Sequence, residues 1–240
     1  MSVKTKLKIL AIIPARAGSK GVPNKNIMSF DGKSLLEMAL DCAIASNVID
    51  KILINSDEQS ILNVVDESRN PNRIYKQLRP KHLGQDHTSI VDVALHAIEN
   101  LQENYDIILL LQVTSPLRSS NDIDKIIKYF NEDQMLEAVV SVIPVDDNHP
   151  ARMYKTNEQN KLKSLDSYYE SQHRQNLEKV YLRNGCFYAI RTEVLIRQKT
   201  FMPKNKIPYV MNPEHLLNID TPRDVIIGKA LIKAWKNKEI

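Results

Sequence analysis

Cysteine is nearly missing from this sequence: Cys42 and Cys186 are the only two in 240 residues, and neither sits in a CxxC pair. That excludes a disulfide scaffold and leaves a zinc ribbon or a thioredoxin-like redox site unsupported; such usage suits a reducing cytoplasm. Long apolar runs are missing too. The longest, Ile9–Ile13 and Ile107–Leu111, fall far short of the ~20 residues a membrane helix needs. The opening MSVKTKLKILAIIPAR resembles a secretory leader only superficially. Its apolar part is too short, and Pro14 and Arg16 stand where a small-residue cleavage site belongs. It reads as a buried first strand.

Aromatics make up only 6% of the chain, and 33 Lys+Arg against 29 Asp+Glu leave a net charge of +4. The densest basic stretch is the final turn, Lys229–Lys238, and with so few aromatics in the chain a nucleic-acid partner is not indicated. A small anionic substrate needs only a few well-placed cations. What is present is ordinary globular material: 42% hydrophobic and 26% charged residues, in a length that suits one large domain. There are no internal repeats and no low-complexity tract.

Apolar runs of strand length alternate with stretches of helical period. Lys8–Pro14 predicts a strand covered on both faces. Ser34–Ser46 predicts a helix, with Ser34 and Glu37 as its capping box. Lys51–Asn55 reads as a strand, Glu58–Glu67 as a helix, Arg73–Tyr75 as a short strand, and Thr88–Asn100 as a helix with Ser89 and Asp92 as a second box. Asp106–Gln112 is the most apolar strand, followed by a helix over Asn121–Phe130 and a strand over Glu137–Ile143. From about Pro144 to Arg183 the chain turns polar and loses its period, then resumes with strands at Gly185–Arg191 and Ile207–Val210 and a closing helix over Thr221–Trp235. The expected fold class is α/β: a Rossmann-like, doubly wound, mostly parallel sheet. The whole chain, 1–240, reads as one domain with an inserted arm at about 144–183. The arm is either a surface insertion or a device that meets a second subunit or closes over a substrate.

In such sheets ligands bind outside the carboxyl ends of the strands. After the first strand, Gly18 and Gly21 lie beside Arg16, Lys20 and Lys25. The segment matches neither GxxxxGK[ST] nor GxGxxG. It reads as a polyphosphate cradle, against the plainer reading of a flexible basic loop. After the Asp106–Gln112 strand, Gln112, Thr114, Ser115 and Arg118 cluster around Pro116. They could meet a base, ribose or phosphate, or simply cap the next helix. Asn218 and Asp220, two apart, would share a face at a strand end. A carboxylate and an amide oxygen suit Mg²⁺, which takes one or two carboxylates plus substrate phosphates. Asp224 reads as a cap residue. The six histidines fall in no metal spacing, and no covalent nucleophile stands out.

IIPARAGSKGVPNKN, LQVTSPLR, RNGCFY and NIDTPRD, in this order, resemble the cytidylyltransferases that make CMP-activated nonulosonic acids. These are the CMP-N-acylneuraminate synthetases and their legionaminate and pseudaminate relatives, and the likeness runs from about residue 8 to 235. The resemblance implies transfer of a cytidylyl group from CTP to a nine-carbon 2-keto sugar acid, with release of pyrophosphate. It implies dependence on Mg²⁺ and a homodimer built through the arm. Arg16, Ser19, Lys20, Lys25 and Asn26 would hold the phosphates and cytosine, and Arg79 of RPKHLGQD would touch the nucleotide. Arg16, Lys20 and Lys25 would neutralise charge growing on the phosphates during transfer. Gln112, Thr114 and Asn184 would face the sugar acid, and Asp220 with Asn218 would hold the metal. Arg174 falls where the family sets a cation from the partner subunit against the sugar's carboxylate, and Arg152 is a weaker candidate of that kind. Two positions depart from the pattern: Asn218 stands where the family commonly has Asp, and Arg183 where it often has Pro. The nearest rival activates the eight-carbon 3-deoxy-manno-octulosonate, whose enzymes usually carry Arg-Leu-Pro-Gly-Lys in the first loop. A catalytically weak nucleotide-binding module is the rival from another class.

Overall fold

Five consecutive apolar residues followed by proline make β1, Ile9–Pro14, and all five are fully buried. Ile9, Ala11 and Ile13 point into one apolar layer, while Leu10 and Ile12 point into the other. A strand with two dry faces demands helices on both sides. The computed structural model describes residues 6–18, 20–66, 69–70, 72–145 and 148–240. After β1 a small hairpin, β2 (Ser29–Phe30) and β3 (Lys33–Ser34), leads into α1 (Leu35–Ala45). Asp31 and Gly32 make its turn with φ of +52° and +84°, the left-handed pair that an Asp-Gly turn favours. The Ser34–Glu37 capping box is present.

Next come β4 (Lys51–Ser56), α2 (Gln59–Asn63), β5 (Ile74–Leu78), α3 (Ile90–Glu99), β6 (Ile107–Leu110), α4 (Ser120–Glu132) and β7 (Ala138–Val145). α2 is shorter than its sequence pattern predicts. Glu58 gives it no side-chain cap, and it closes into a turn at Val64 and Val65; Glu67, the predicted end, lies outside the described residues. β5 extends beyond Tyr75 because Lys76, Gln77 and Leu78 continue the ladder along β4. Ser89 caps α3 through the Val91 N–H, without the reciprocal bond expected from Asp92. α4 carries a full box from Ser119 and Asp122.

The arm contains a two-stranded hairpin, β8 (Tyr154–Thr156) with β9 (Leu162–Ser164), and the chain returns along β10 (Val180–Arg191). β10 therefore starts before the predicted Gly185. Tyr181, Leu182 and Arg183 pair with Pro144, Ile143 and Val142 but stay exposed, so no apolar alternation marks them. α5 (Thr192–Gln198), unexpected from the sequence, β11 (Lys206–Val210) and α6 (Pro222–Lys236) complete the chain. α5 escapes the helical pattern because its buried stripe is only Val194 and Leu195.

The main sheet runs β11-β7-β10-β6-β1-β4-β5. β10 is antiparallel to both neighbours, and every other pairing is parallel. One face carries α1, α2, α4 and α6, the other α3 and α5. β4 and β5 lie on one side of β1 and β6 on the other, so the winding reverses between β1 and β6. Among the described residues no helix is long and apolar enough to cross a membrane.

Candidate active site

That reversal opens a crevice at the carboxyl ends of β1 and β6, where ligands of open α/β sheets bind. A cavity of about 430 Å³ fills it. Arg16, Lys25 and Asn26 reach it from the loop after β1, Arg79 from the end of β5, Gln112 and Thr114 from the end of β6, and Asn218 and Asp220 from the segment before α6. Those eight predicted site residues thus share one lining. Lys20 stands at the rim in an adjoining depression. Ser19 lies outside the described residues.

The loop after β1 is fixed by several local contacts. The Ala17 N–H donates to Asp57 Oδ1 (3.1 Å), and Asn26 Nδ2 donates to the Arg16 carbonyl (2.8 Å). Asn24, at φ +56°, takes a left-handed turn within this loop. Gly18 has open space around it, but a Cβ on Gly21 would sit 2.0 Å from the Asp220 carbonyl oxygen. Gly21 therefore serves close approach between the loop and the Asp220 segment. That segment is not the strand end the spacing suggested; the Ile219 N–H pins it to the Thr114 carbonyl (2.9 Å).

Each cation at the cleft faces a carboxylate. Lys25, almost buried, donates to Asp220 Oδ1 (2.5 Å) and the Ile219 carbonyl (2.9 Å). Arg79, only 4% exposed, holds Asn55 Oδ1 (2.7 Å) and carbonyl (3.0 Å) and lies 3.6 Å from Asp57. Burial first, and Arg16 after it, lower the Arg79 pKa, while Asp57 opposes them. Asp86 accepts from both Arg16 Nη1 and Lys20 Nζ, each at 2.7 Å, and those two bonds hold its carboxyl below the ordinary range. An incoming polyphosphate would take the place of that carboxylate between the same two cations. Asn26 Oδ1 is buried with no partner among the described residues, an acceptor left for a donor on a ligand. Asn218 Nδ2 donates to Asp220 Oδ2, so the amide orients the carboxylate.

Asp86 and Asp57 are missing from the sequence reading, though both carried a signal. Asp86 belongs to the RPKHLGQD segment already singled out for Arg79, and Asp57 directly follows a strand's carboxyl end. Other expected residues lie elsewhere. Ser115 and Arg118 turn into the core, where Arg118 donates to the Cys186 carbonyl (2.7 Å) beside the Phe187 ring. The Asn184 side chain is buried, accepting from Ser141 Oγ (2.6 Å), and only borders a neighbouring cavity. Arg174 lines a separate cavity with His149 and Leu177, and Arg152 is tied to the Glu170 and Gln172 carbonyls (both 2.6 Å). Burial pushes the Cys186 thiol up to about 12 and Cys42 to about 11, so neither supplies a thiolate near neutral pH. No group of three or more metal-ligating side chains occurs among the described residues. The cleft suits positioning and charge neutralisation.

Comparison with known proteins places the fold and the family. The chain is 30% identical over 222 residues to the N-acylneuraminate cytidylyltransferase of Streptococcus agalactiae, covering 92% of this chain and 52% of that one. It spans about half the length of that relative. It is 29% identical over 235 residues to the pseudaminic acid cytidylyltransferase of Campylobacter jejuni, covering 95% and 97%. The fold matches a solved CMP-2-keto-3-deoxy-manno-octonic acid synthetase complexed with CTP, with a TM-score of 0.69 at 17% identity over 97% of this chain and all of that one. The family model described as cytidylyltransferase matches residues 10–228, from β1 into α6, so this chain belongs to that family.

Proposed function

We propose that this protein transfers a cytidylyl group from CTP to a nonulosonic, nine-carbon 2-keto sugar acid, giving a CMP-sugar and pyrophosphate. The observation that carries the reading is the convergence of Arg16, Lys25, Asn26, Arg79, Gln112 and Asp220 on one cavity at the sheet's reversal. The names of the relatives favour a nine-carbon acid over the eight-carbon one, because the octonic acid synthetase shares only 17% identity.

The anomeric hydroxyl of the acid attacks the α-phosphorus in line, and the bond to the β-phosphate breaks. Arg16 and Lys20 leave Asp86 for the phosphates. Lys25, held by Asp220 and the Ile219 carbonyl, presents a fixed positive charge at the cavity wall. Donors placed before the reaction stabilise charge as it develops and need no reorganisation. Asn26 Oδ1 suits the exocyclic amine of cytosine. Gln112 and Thr114 lie at the end of β6 for the sugar.

Asp220 fits Mg²⁺ chemically: its side chain is half exposed, and magnesium takes one or two carboxylates with substrate phosphates and water. Asn218 serves it by orienting that carboxylate. When bound, the ion would neutralise charge on the departing pyrophosphate. The arm is read as the contact between two copies of the chain, with Arg174 carried toward the neighbouring copy's cleft.

Pyrophosphate release from CTP, measured with sialic, legionaminic, pseudaminic and 3-deoxy-manno-octulosonic acids, tests the reading. Release with a nine-carbon acid supports it. Release with only the eight-carbon acid transfers the assignment to the rival synthetase. CTP binding without release on every acid makes the chain a binding module.

A further inference from the structure

β10 falls out of step with β7 beside the cleft. Arg183 pairs with Val142 and Tyr188 with Val140, so Asn184–Phe187 lie opposite Ser141 alone. The irregularity is pinned: Ser141 Oγ donates to Asn184 Oδ1 (2.6 Å) and accepts from the Phe187 N–H (2.8 Å). Gly185 takes φ +78°, and a Cβ there would lie 2.6 Å from Ser115 Oγ and 3.1 Å from Gln112 Oε1. Bulges re-aim side chains and cluster at functional sites. This one borders a second cavity, of about 390 Å³, that shares Gln112 and Asn218 with the nucleotide cleft and is otherwise walled by Leu182, Arg183, Tyr188 and Leu216.

Among the described residues, Arg183 is the only charged one in that lining. It also differs from the cleft's own cations. Arg16 and Lys20 face Asp86, Lys25 faces Asp220, and Arg79 faces Asp57. Among the described residues Arg183 has no such carboxylate and is exposed at the cavity's edge. An unpaired guanidinium, beside a cavity that opens onto the nucleotide site, is matched by an anion brought in by the second substrate. The fork geometry of arginine suits a carboxylate in particular.

We propose that Arg183 binds the carboxylate of the acid acceptor, and so selects 2-keto acids over neutral sugars from within a single chain. The inference rests on the cytidylyl-transfer reading and deepens it. It competes with Arg174, which the family resemblance assigns to the same carboxylate from a partner subunit.

Arg183→Ala, Arg183→Lys and Arg174→Ala should be compared with the unaltered protein by steady-state pyrophosphate release. Equilibrium binding of N-acetylneuraminic acid and of its methyl ester is measured in parallel by calorimetry. Losing one charge-assisted hydrogen bond predicts a KM for the acid raised by about tenfold or more in Arg183→Ala, with the KM for CTP within about twofold. Arg183→Lys should recover part of that loss. The ester should bind the unaltered protein about as weakly as the acid binds Arg183→Ala. An unchanged KM and affinity for the acid in Arg183→Ala overturns the proposal. So does a rise confined to Arg174→Ala. If the unaltered protein binds the acid through Arg183 but releases no pyrophosphate, the transfer reading fails and the anion site stands. If it neither binds nor releases with any of the sialic, legionaminic and pseudaminic acids, both fail.

Discussion

The cleft and the arm use the same residue types under opposite conditions. In the cleft, Lys25, Asn26 and Arg79 are almost wholly buried, and each is held by named partners. In the arm, no residue from Arg152 to Arg183 is buried. Its shape comes from backbone pairing in the β8–β9 hairpin and from Arg152 gripping two carbonyls. A buried cation must be matched inside the chain, because leaving it unpaired is costly. An exposed segment bearing Leu162 and Tyr168, 70% and 72% accessible, leaves its apolar surface unmatched within the chain. The cleft's cations are therefore matched within one chain, whereas the arm's exposed apolar side chains are not.

The hardest test of the first half is Lys25→Ala. It removes a fixed charge from the cavity wall and the partner of Asp220, and pyrophosphate release should fall by roughly 10²–10³-fold, the usual loss for one preorganised donor. Lys20→Ala, whose side chain is 86% exposed, should lie at the lower end, about 10²-fold. Near-normal turnover of CTP in either variant would remove the polyphosphate site from this cleft.

The second half breaks differently. Replacing Leu162 and Tyr168 together with Asp should weaken self-association of the chain by about 30-fold or more, the scale of one interface hot spot. Sedimentation velocity reads this directly. Thermal unfolding of the separated chain should stay nearly constant, since neither side chain is buried within it. An unaltered protein that is monomeric at assay concentration would leave the arm's apolar surface without the partner proposed for it.

A sharper contrast lies inside the loop itself. Gly21→Ala drives a methyl into the Asp220 carbonyl, whereas Gly18→Ala meets open space. The first should cost about 1–3 kcal/mol, as overpacking does, and lower turnover with it; the second should cost almost nothing. Paired thermal melts and kinetics would separate them. Equal effects would mean that the loop does not rest on the Asp220 segment.

What the sequence disclosed follows the same division. β1, α1, α4 and α6 were legible because burial imposes a period on their residues and because Ser34, Ser119 and Thr221 form caps readable at a fixed spacing. Arg16 and Lys25 were legible because the crevice of a doubly wound sheet lies after its first strand, whereas Asn26 was marked only by the family resemblance. The early start of β10 was hidden, since Tyr181–Arg183 pair by backbone alone and bury nothing. Asp86 was only half legible: it stands in the RPKHLGQD segment, but its pairing with Arg16 and Lys20, 70 and 66 residues earlier, appears only when the fold brings them together. The β2–β3 turn was legible from Asp31-Gly32 but passed unread.

The smallest effect joins the cleft to its scaffold. Thr221 caps α6, and Asp224 Oδ2 accepts from the Thr221 N–H and hydroxyl and from the Asp220 N–H. Those bonds, the Thr221 N–H foremost, hold the Asp224 carboxyl below its ordinary value of 3.8. A depressed folded-state pKa contributes stability that is present above the unfolded value and lost as pH falls through the folded one. Thr221→Ala should therefore cost about 1 kcal/mol, the usual worth of such a cap, between pH 5 and pH 7. The melting difference between the unaltered protein and Asp224→Asn should hold constant over that same window and shrink below about pH 4. Because the Asp220 N–H is one of the donors, the loss should also appear as a modestly weaker grip of Asp220 on Lys25, with turnover falling far less than in Lys25→Ala. A Thr221→Ala variant with unaltered stability and a turnover loss as large as that of Lys25→Ala would mean that Thr221 touches the reacting groups itself, and that scaffold and cleft are not separable at this helix.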